Sequence, residues 1–200
     1  SNVLTEESPS VAQNVYGRSK LAAEKSILGS NQIACQVILR PVLIYGAGQK
    51  GNLSTLEKLI HKGVYFPFKH WANKRSVLSI NNLTAVIKSI LKKDISSGVY
   101  FVADDSAVST VEILKSIGSG TKQKVKLIGF SNTLIKFGLG ILPGRFRSFA
   151  DKIFGSLEVD NSKLKHALGI NDMPFRTETE LPAAFSSQHA NMPKRQNTKN

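Results

Sequence analysis

The stretch Ile33-Ala-Cys-Gln-Val-Ile-Leu-Arg-Pro-Val-Leu-Ile-Tyr45 decides the fold. From Val37 to Ile44 it is apolar apart from Arg40-Pro41, and so short and continuous a run reads as a buried parallel strand ending at the proline. Upstream, past a polar loop with Pro9, the spacing predicts a helix from about Val15 to Gly29, with Leu21, Ala22, Ile27 and Leu28 on its apolar face. Downstream come a glycine loop from Gly46 to Gly51, a helix from Leu53 to His61 and a short strand from Ser76 to Ile80. Asn81/Asn82 are placed to cap a helix to about Lys93, and Gly98 to Ala103 reads as another buried strand. Ser109-Thr-Val-Glu112 has the form of a capping box opening the helix Val111 to Ile117, and Ser162 to Leu168 is a further short helix. Alternating strands and helices predict an α/β fold with a parallel sheet and right-handed crossovers.

Two hundred residues suffice to bury roughly 70% of the unfolded chain's surface. With 41% hydrophobic and 20% charged residues the composition is that of a globular protein, which excludes disorder for most of the chain. No apolar run approaches the ~20 residues of a membrane-spanning helix. A single cysteine, Cys35, excludes a disulfide framework and a cysteine-rich metal site. No signal peptide opens the chain, so a reducing cytoplasm is expected.

The net charge of +13 raises the question of nucleic acid, but its distribution is more telling. Successive fifties carry +2, +6, +4 and +1, with no long basic run. The excess suits a site for a small polyanion, and equally a solvated surface strewn with lysines. Residues 127–155 are Gly-interrupted, apolar and basic, with Leu134-Ile-Lys-Phe137 and Arg145-Phe-Arg147. Helices covering a ligand lobe are expected there, a membrane-surface segment being the alternative. From Ser186 the chain turns polar and is expected to be a disordered tail.

Gly46-Ala-Gly48-Gln-Lys-Gly51 matches GxGxxG between a predicted strand and helix, yet it fails as a dinucleotide loop. That fingerprint needs an acidic residue ending a second strand about 20 residues on, and no acid occurs between Glu57 and Asp94. A glycine turn closing a strand is the better reading. Gly118-Ser-Gly-Thr-Lys122 likewise lacks P-loop spacing. Tyr16-Gly-Arg-Ser-Lys20 is a stronger candidate, because four-residue spacing puts both side chains on one helix face. A phenol of pKa near 10 exchanges protons usefully at neutral pH only if its anion is stabilised, and a shift of ~3 units requires ~4 kcal/mol. One ammonium ~4 Å away supplies about that at an effective dielectric constant of ~20. By itself the pair also suits a half-buried tyrosine beside a solvated lysine. The second such pair, Tyr65 with Lys69, encloses Pro67 and is not helical.

Four segments in order carry a resemblance. Tyr16-Gly-Arg-Ser-Lys-Leu-Ala-Ala-Glu24 resembles the YGxSKxxxE catalytic helix of the extended short-chain dehydrogenase/reductases, the NAD-dependent epimerase/dehydratase family typified by UDP-glucose 4-epimerase. Leu39-Arg-Pro-Val-Leu-Ile-Tyr-Gly46 resembles its LRPxxVYG strand and loop. Lys74-Arg-Ser-Val-Leu-Ser-Ile-Asn-Asn-Leu83 resembles RxxxxVxDL, and Leu157 to Gly169 resembles the xVDxSKxxxxLG element. The likeness covers the chain to about residue 185.

The resemblance implies the C-terminal portion of a Rossmann-type parallel sheet domain plus a smaller α/β substrate-binding lobe. It assigns residues 1–50 to the Rossmann domain, residues 51–185 mainly to a nucleotide-sugar lobe with 76–104 returning to the sheet, and residues 186–200 to the tail. It implies Tyr16 as acid/base and Lys20 as the group that lowers its pKa and binds the nicotinamide ribose, with Pro41 and Val42 beside the nicotinamide. Asn52 would line the sugar-nucleotide pocket, Arg75 would pair with the pyrophosphate, and Asp160 would reach the nucleotide end or simply cap the helix after it. The implied cofactor is NAD, with NADP the alternative. No metal is implied. The implied partners are a UDP-sugar and a second copy in a homodimer, with neither nucleic acid nor stable membrane insertion.

Two departures accompany this. Asn81-Asn82 stands where many members carry Asp, and in this the chain resembles the sub-branch acting on UDP-N-acetylhexosamines and their keto derivatives in cell-surface polysaccharide synthesis. The N-terminal half, with its GxxGxxG loop and catalytic Ser/Thr, is missing, so the 200 residues are expected to belong to a longer chain and to be inactive alone. Within the family, C4 epimerisation, 4-keto reduction and dehydration stay open. Outside it, the alternatives are an inactive fragment or a basic module binding RNA or an anionic membrane through Lys69 to Arg75 and the 131–155 segment.

Overall fold

The computed structural model describes residues 3–12, 14–30, 34–49, 51–131, 133, 135 and 155–190. In chain order the elements are α1 (Val15–Leu28), β1 (Val37–Pro41), β2 (Leu43–Tyr45), α2 (Asn52–His61), β3 (Tyr65–Phe66) and β4 (Val77–Ser79). There follow α3 (Ile80–Ile90), β5 (Gly98–Val102), α4 (Thr110–Thr121), β6 (Lys126–Leu127), α5 (Ser162–Leu168) and α6 (Thr177–Ala190). They fall into two compact units: residues 1–44, 76–107 and 157–176 form the first, and 45–75, 108–156 and 177–200 the second.

The first unit is built on the opening stretch. β1 pairs in parallel with β5, from Val37 opposite Gly98 to Pro41 opposite Val102. Pro41 brings no N–H, and the next amide, Val42, donates to the Val102 carbonyl at 3.2 Å. β2 then resumes and pairs with β4. Strand alternation sends Val37 and Leu39 into a core of Leu78, Val86, Tyr100, Val102, Leu164 and Leu168. The same alternation turns Arg40 the other way, where Nε donates to Glu24 Oε2 of α1 at 3.0 Å and Nη2 pairs with Oε1. α1 buries none of its own residues, and the expected apolar face is only partly used: Leu21 is half-buried, whereas Ala22, Ile27 and Leu28 are exposed.

The turn from β4 into α3 corrects the sequence reading. Ser79, not Asn81 or Asn82, is the N-cap, its hydroxyl accepting the Asn82 amide at 2.9 Å. Asn82 is fully buried inside the first turn, donating through Nδ2 to Asp104 Oδ1 and to the Phe175 carbonyl, both at 2.8 Å. Its Oδ1 accepts the Phe175 amide at 3.0 Å, and Asp104 also accepts the Ser79 amide. Residues 157–176, assigned by sequence to the lobe, thus belong to the first unit. The reason is that α5 buries Leu164 and Leu168 in that unit's core.

In the second unit, α2 buries Leu53, Leu56 and Ile60, and α4 buries Val111, Ile113, Leu114 and Ile117. The Ser109–Glu112 capping box is present, but α4 runs to Thr121. There Gly120 lets the backbone of α6 approach: a Cβ at that position would lie 2.5 Å from the Pro182 carbonyl oxygen and 2.7 Å from Phe185 Cβ. α6 continues through Ser186 to Ala190, so the expected tail does not begin at residue 186; helix propagation carries the chain past the change to polar residues. Residues 191–200 lie outside the described residues, as does most of the 127–155 segment expected to cover a ligand lobe. β3 and β6 form a short parallel pair.

Candidate active site

α1 begins where Asn14, in an extended conformation, accepts the Gly17 amide on Oδ1 at 2.7 Å, satisfying one of the helix's free N–H groups. Tyr16 and Lys20 follow one turn apart. The Lys20 ammonium lies 5.6 Å from the centre of the Tyr16 ring, and Tyr16 is 71% exposed. Ser19 donates back to the Tyr16 carbonyl at 2.9 Å. Glu24 comes one turn after Lys20, and its pairing with Arg40 ties this helix face to β1. A phenol held exposed beside a cation is equipped to pass a proton to and from a bound hydroxyl.

Pro41 is exposed at the end of β1, whereas Val42 is half-buried and packs its side chain on the core. Asp160 accepts the Ser162 amide at 2.8 Å on Oδ1 at the start of α5. Its carboxyl is held below the ordinary carboxylate range by the hydrogen bonds from Ser162, burial acting against them and the Lys165 charge adding a smaller pull in their direction. The N-cap position itself is Asn161, whose side chain makes no cap hydrogen bond, and Asp160 reaches the first helical amide from one residue before it. Asn161 leaves the helix end to it, donating instead to the Ala103 carbonyl at 2.7 Å.

The remaining two residues stand in the second unit. The glycine loop is a turn, with Gly46 and Gln49 hydrogen-bonded to each other and Gly48 and Gly51 at φ 75° and 85°. Gly51 is the N-cap of α2 and offers no side chain to the first turn, where Asn52 lies half-buried. Arg75 is pinned through its backbone to Val108, amide to carbonyl at 2.8 Å in both directions. Its Nη1 donates to the Gly155 carbonyl at 2.7 Å, while Nε is buried with no hydrogen-bond partner among the described residues. Desolvation lowers the guanidinium's pKa from its usual value. Asn73, which the sequence did not flag, shares Gly155 by donating at 3.2 Å and exchanges hydrogen bonds with Thr110. Its partners are 37 and 82 residues away, so no local spacing marks it. Among the described residues no group of three or more His, Cys, Asp or Glu side chains is set to hold a metal ion.

A parallel α/β unit bearing tyrosine and lysine one turn apart on an exposed helix defines an extended short-chain dehydrogenase/reductase with a Rossmann-type sheet. Within that class the chain belongs to the 3-beta hydroxysteroid dehydrogenase/isomerase family, whose model matches residues 4–128. It is 34% identical over 158 residues to a UDP-glucose 4-epimerase of Vibrio cholerae, covering 77% of this chain and 48% of that protein. Its fold is similar to that of a UDP-N-acetylglucosamine 4-epimerase from Bacillus cereus, with a TM-score of 0.67, 18% identity, and coverage of 94% and 59% of the two chains. A dTDP-glucose 4,6-dehydratase from Bacillus anthracis in complex with NAD gives a TM-score of 0.68 at 16% identity, with 96% and 57% covered. The chain spans about half the length of the curated relatives it matches.

Proposed function

We propose that this chain belongs to an NAD-dependent nucleotide-sugar epimerase that inverts C4 of a UDP-hexose or UDP-N-acetylhexosamine. The observation that carries the reading is the Tyr16–Lys20 pair, an exposed phenol with an ammonium 5.6 Å from its ring centre, in a chain 34% identical to a UDP-glucose 4-epimerase.

A phenol hydroxyl and an ammonium fit the ribose and nicotinamide end of NAD. These 200 residues hold no glycine loop with an acidic partner of the kind that takes the adenosine end. NAD, when bound, accepts and returns the hydride. Tyr16 takes the proton from the C4 hydroxyl as the ketone forms and gives it back afterwards, while Lys20 stabilises the phenolate and holds the ribose. Glu24 and Arg40 keep α1 in register with β1 and act as positioning residues. Arg75 answers the diphosphate: its buried Nε, without a hydrogen-bond partner among the described residues, is a donor for an anionic oxygen. A steroid, the substrate class in the matching family's name, offers no such charge. Val15, Ile27 and Leu28, exposed on α1, suit burial by a second copy of the chain. A role in surface polysaccharide synthesis is part of the same proposal, on the ground that Asn81-Asn82 stands where many family members carry Asp.

The test is to incubate the full-length protein with UDP-glucose or UDP-N-acetylglucosamine and NAD. The reading expects the C4 epimer with no net change in nicotinamide absorbance. Stoichiometric consumption of NADH or NADPH by a 4-keto sugar would make the protein a reductase, and a 4-keto-6-deoxy product would make it a dehydratase.

A further inference from the structure

We infer that Asn73 is a positioning residue for the substrate's diphosphate: it fixes the Gly155 carbonyl, and that carbonyl aims the Arg75 guanidinium. The inference rests on Arg75 meeting the diphosphate, as proposed above, and every residue it uses lies in the second unit. Asn73 is 6% exposed, and its side chain is docked on the first residue of α4. Its Oδ1 accepts the Thr110 amide at 2.9 Å, one of the N–H groups that a helix cannot satisfy from within, while Nδ2 donates to the Thr110 hydroxyl at 3.0 Å. The same Nδ2 donates to the Gly155 carbonyl at 3.2 Å, the oxygen that accepts Arg75 Nη1 at 2.7 Å. A carbonyl oxygen has two lone pairs, so the two donors share it without competing.

Arg75 is held at both ends. Its backbone is bridged to Val108, just before α4, and the neighbouring Lys74 amide donates to Ser156 Oγ at 3.2 Å. A guanidinium is planar, so anchoring Nη1 on a carbonyl limits the turn of the whole plane, Nε included. Gly155 belongs to no helix or strand, and its carbonyl has no ladder to hold it. Asn73 supplies that hold from a helix end. The Nε without a hydrogen-bond partner among the described residues is thereby kept in one direction, and binding need not meet the cost of ordering a long side chain. Satisfying the Thr110 amide needs only an acceptor. An amide side chain is needed because the same group must also donate to Gly155.

The experiment is calorimetric titration of the full-length protein and its variants with UDP and with uridine, which lacks the diphosphate, beside kinetics with a UDP-sugar and a melting curve for each variant. Asn73→Ala is expected to weaken UDP about 3- to 10-fold, the contribution of one net hydrogen bond, and to leave uridine unchanged. KM rises accordingly, while kcat stays within about twofold. In the Arg75→Ala background the same change is expected to cost nothing further, because the group it positions is gone. Should Asn73→Ala unfold, Asn73→Asp carries the test: it keeps an acceptor for the Thr110 amide, removes the donation to Gly155, and is expected to weaken UDP at least as much. Wild-type affinity for UDP in these variants, an equal loss for uridine, or a loss that adds in full to that of Arg75→Ala overturns the inference. An Arg75→Ala protein that binds UDP as tightly as wild type overturns the reading of Arg75 itself, and the inference with it.

Discussion

Arg75 shows what single side chains contribute. One nitrogen is used by Gly155 and another is buried without a partner among the described residues, an arrangement that costs stability unless a ligand completes it. Arg75→Ala in the full-length protein is therefore expected to raise the KM for a UDP-sugar by about 10- to 100-fold, with kcat changed far less, since a charged hydrogen bond contributes about 1.5–3 kcal/mol. Arg75→Lys is expected to recover only a fraction of the loss, lacking the planar fork. Asp160 makes a pH-dependent contribution. Because its folded pKa is depressed, its stabilisation is present above the unfolded carboxyl value and is lost as pH falls through the lower folded value. Asp160→Asn is expected to lower the Tm at neutral pH, the difference from wild type shrinking below about pH 4. Asn82 was legible as a departure from the family pattern but not as to its cause. An amide is needed because the side chain must donate to Asp104 and accept from Phe175 at once. Asn82→Asp would set a carboxylate against the Asp104 carboxylate, and a loss of about 2–4 kcal/mol at neutral pH, partly recovered on acidification, is expected in denaturant melts.

At the level of elements, what could be read from the sequence was what local spacing controls. The run Val37–Ile44 and the glycine stop after α1 marked β1 and α1 nearly to the residue, and Ser109–Glu112 the start of α4. But β1 is half-buried rather than buried, and the chain resumes past Pro41 as β2, which the reading of one strand ending at the proline did not contain. The cap of α3 was displaced because Ser79, still in an extended conformation, reaches the Asn82 amide first. α6 escaped notice because Pro182 lies inside it and its apolar residues form no single stripe; packing on α4, not periodicity, makes it a helix. That packing is testable. Gly120→Ala puts a methyl group into the Pro182 carbonyl and Phe185 Cβ, and a loss of about 1–3 kcal/mol is expected despite alanine's better helix propensity. The Glu24–Arg40 pair was visible as two motif letters, but its meaning, holding the tyrosine-bearing helix in register with a strand, needed coordinates.

Across the whole chain, two units carry the candidate residues: Tyr16, Lys20, Pro41, Val42 and Asp160 on the first, Asn52 and Arg75 on the second. The order of the four motifs made the family legible, while the fine division of the chain did not follow sequence order. Residues 157–176 belong with the first unit through contacts to β5 and α3 made far along the chain. The chain spans about half the length of the curated relatives it matches, so the proposed reaction is one to measure on the full-length protein. The most direct measurement is kcat for C4 epimerisation of a UDP-hexose by the full-length protein and its Tyr16→Phe variant, with Tm recorded for both. Tyr16 is exposed and holds no core contact, so the Tm is expected to stay within a degree or two while kcat falls by about 10²- to 10⁴-fold. A Tyr16→Phe enzyme that epimerises at the wild-type rate would contradict the account.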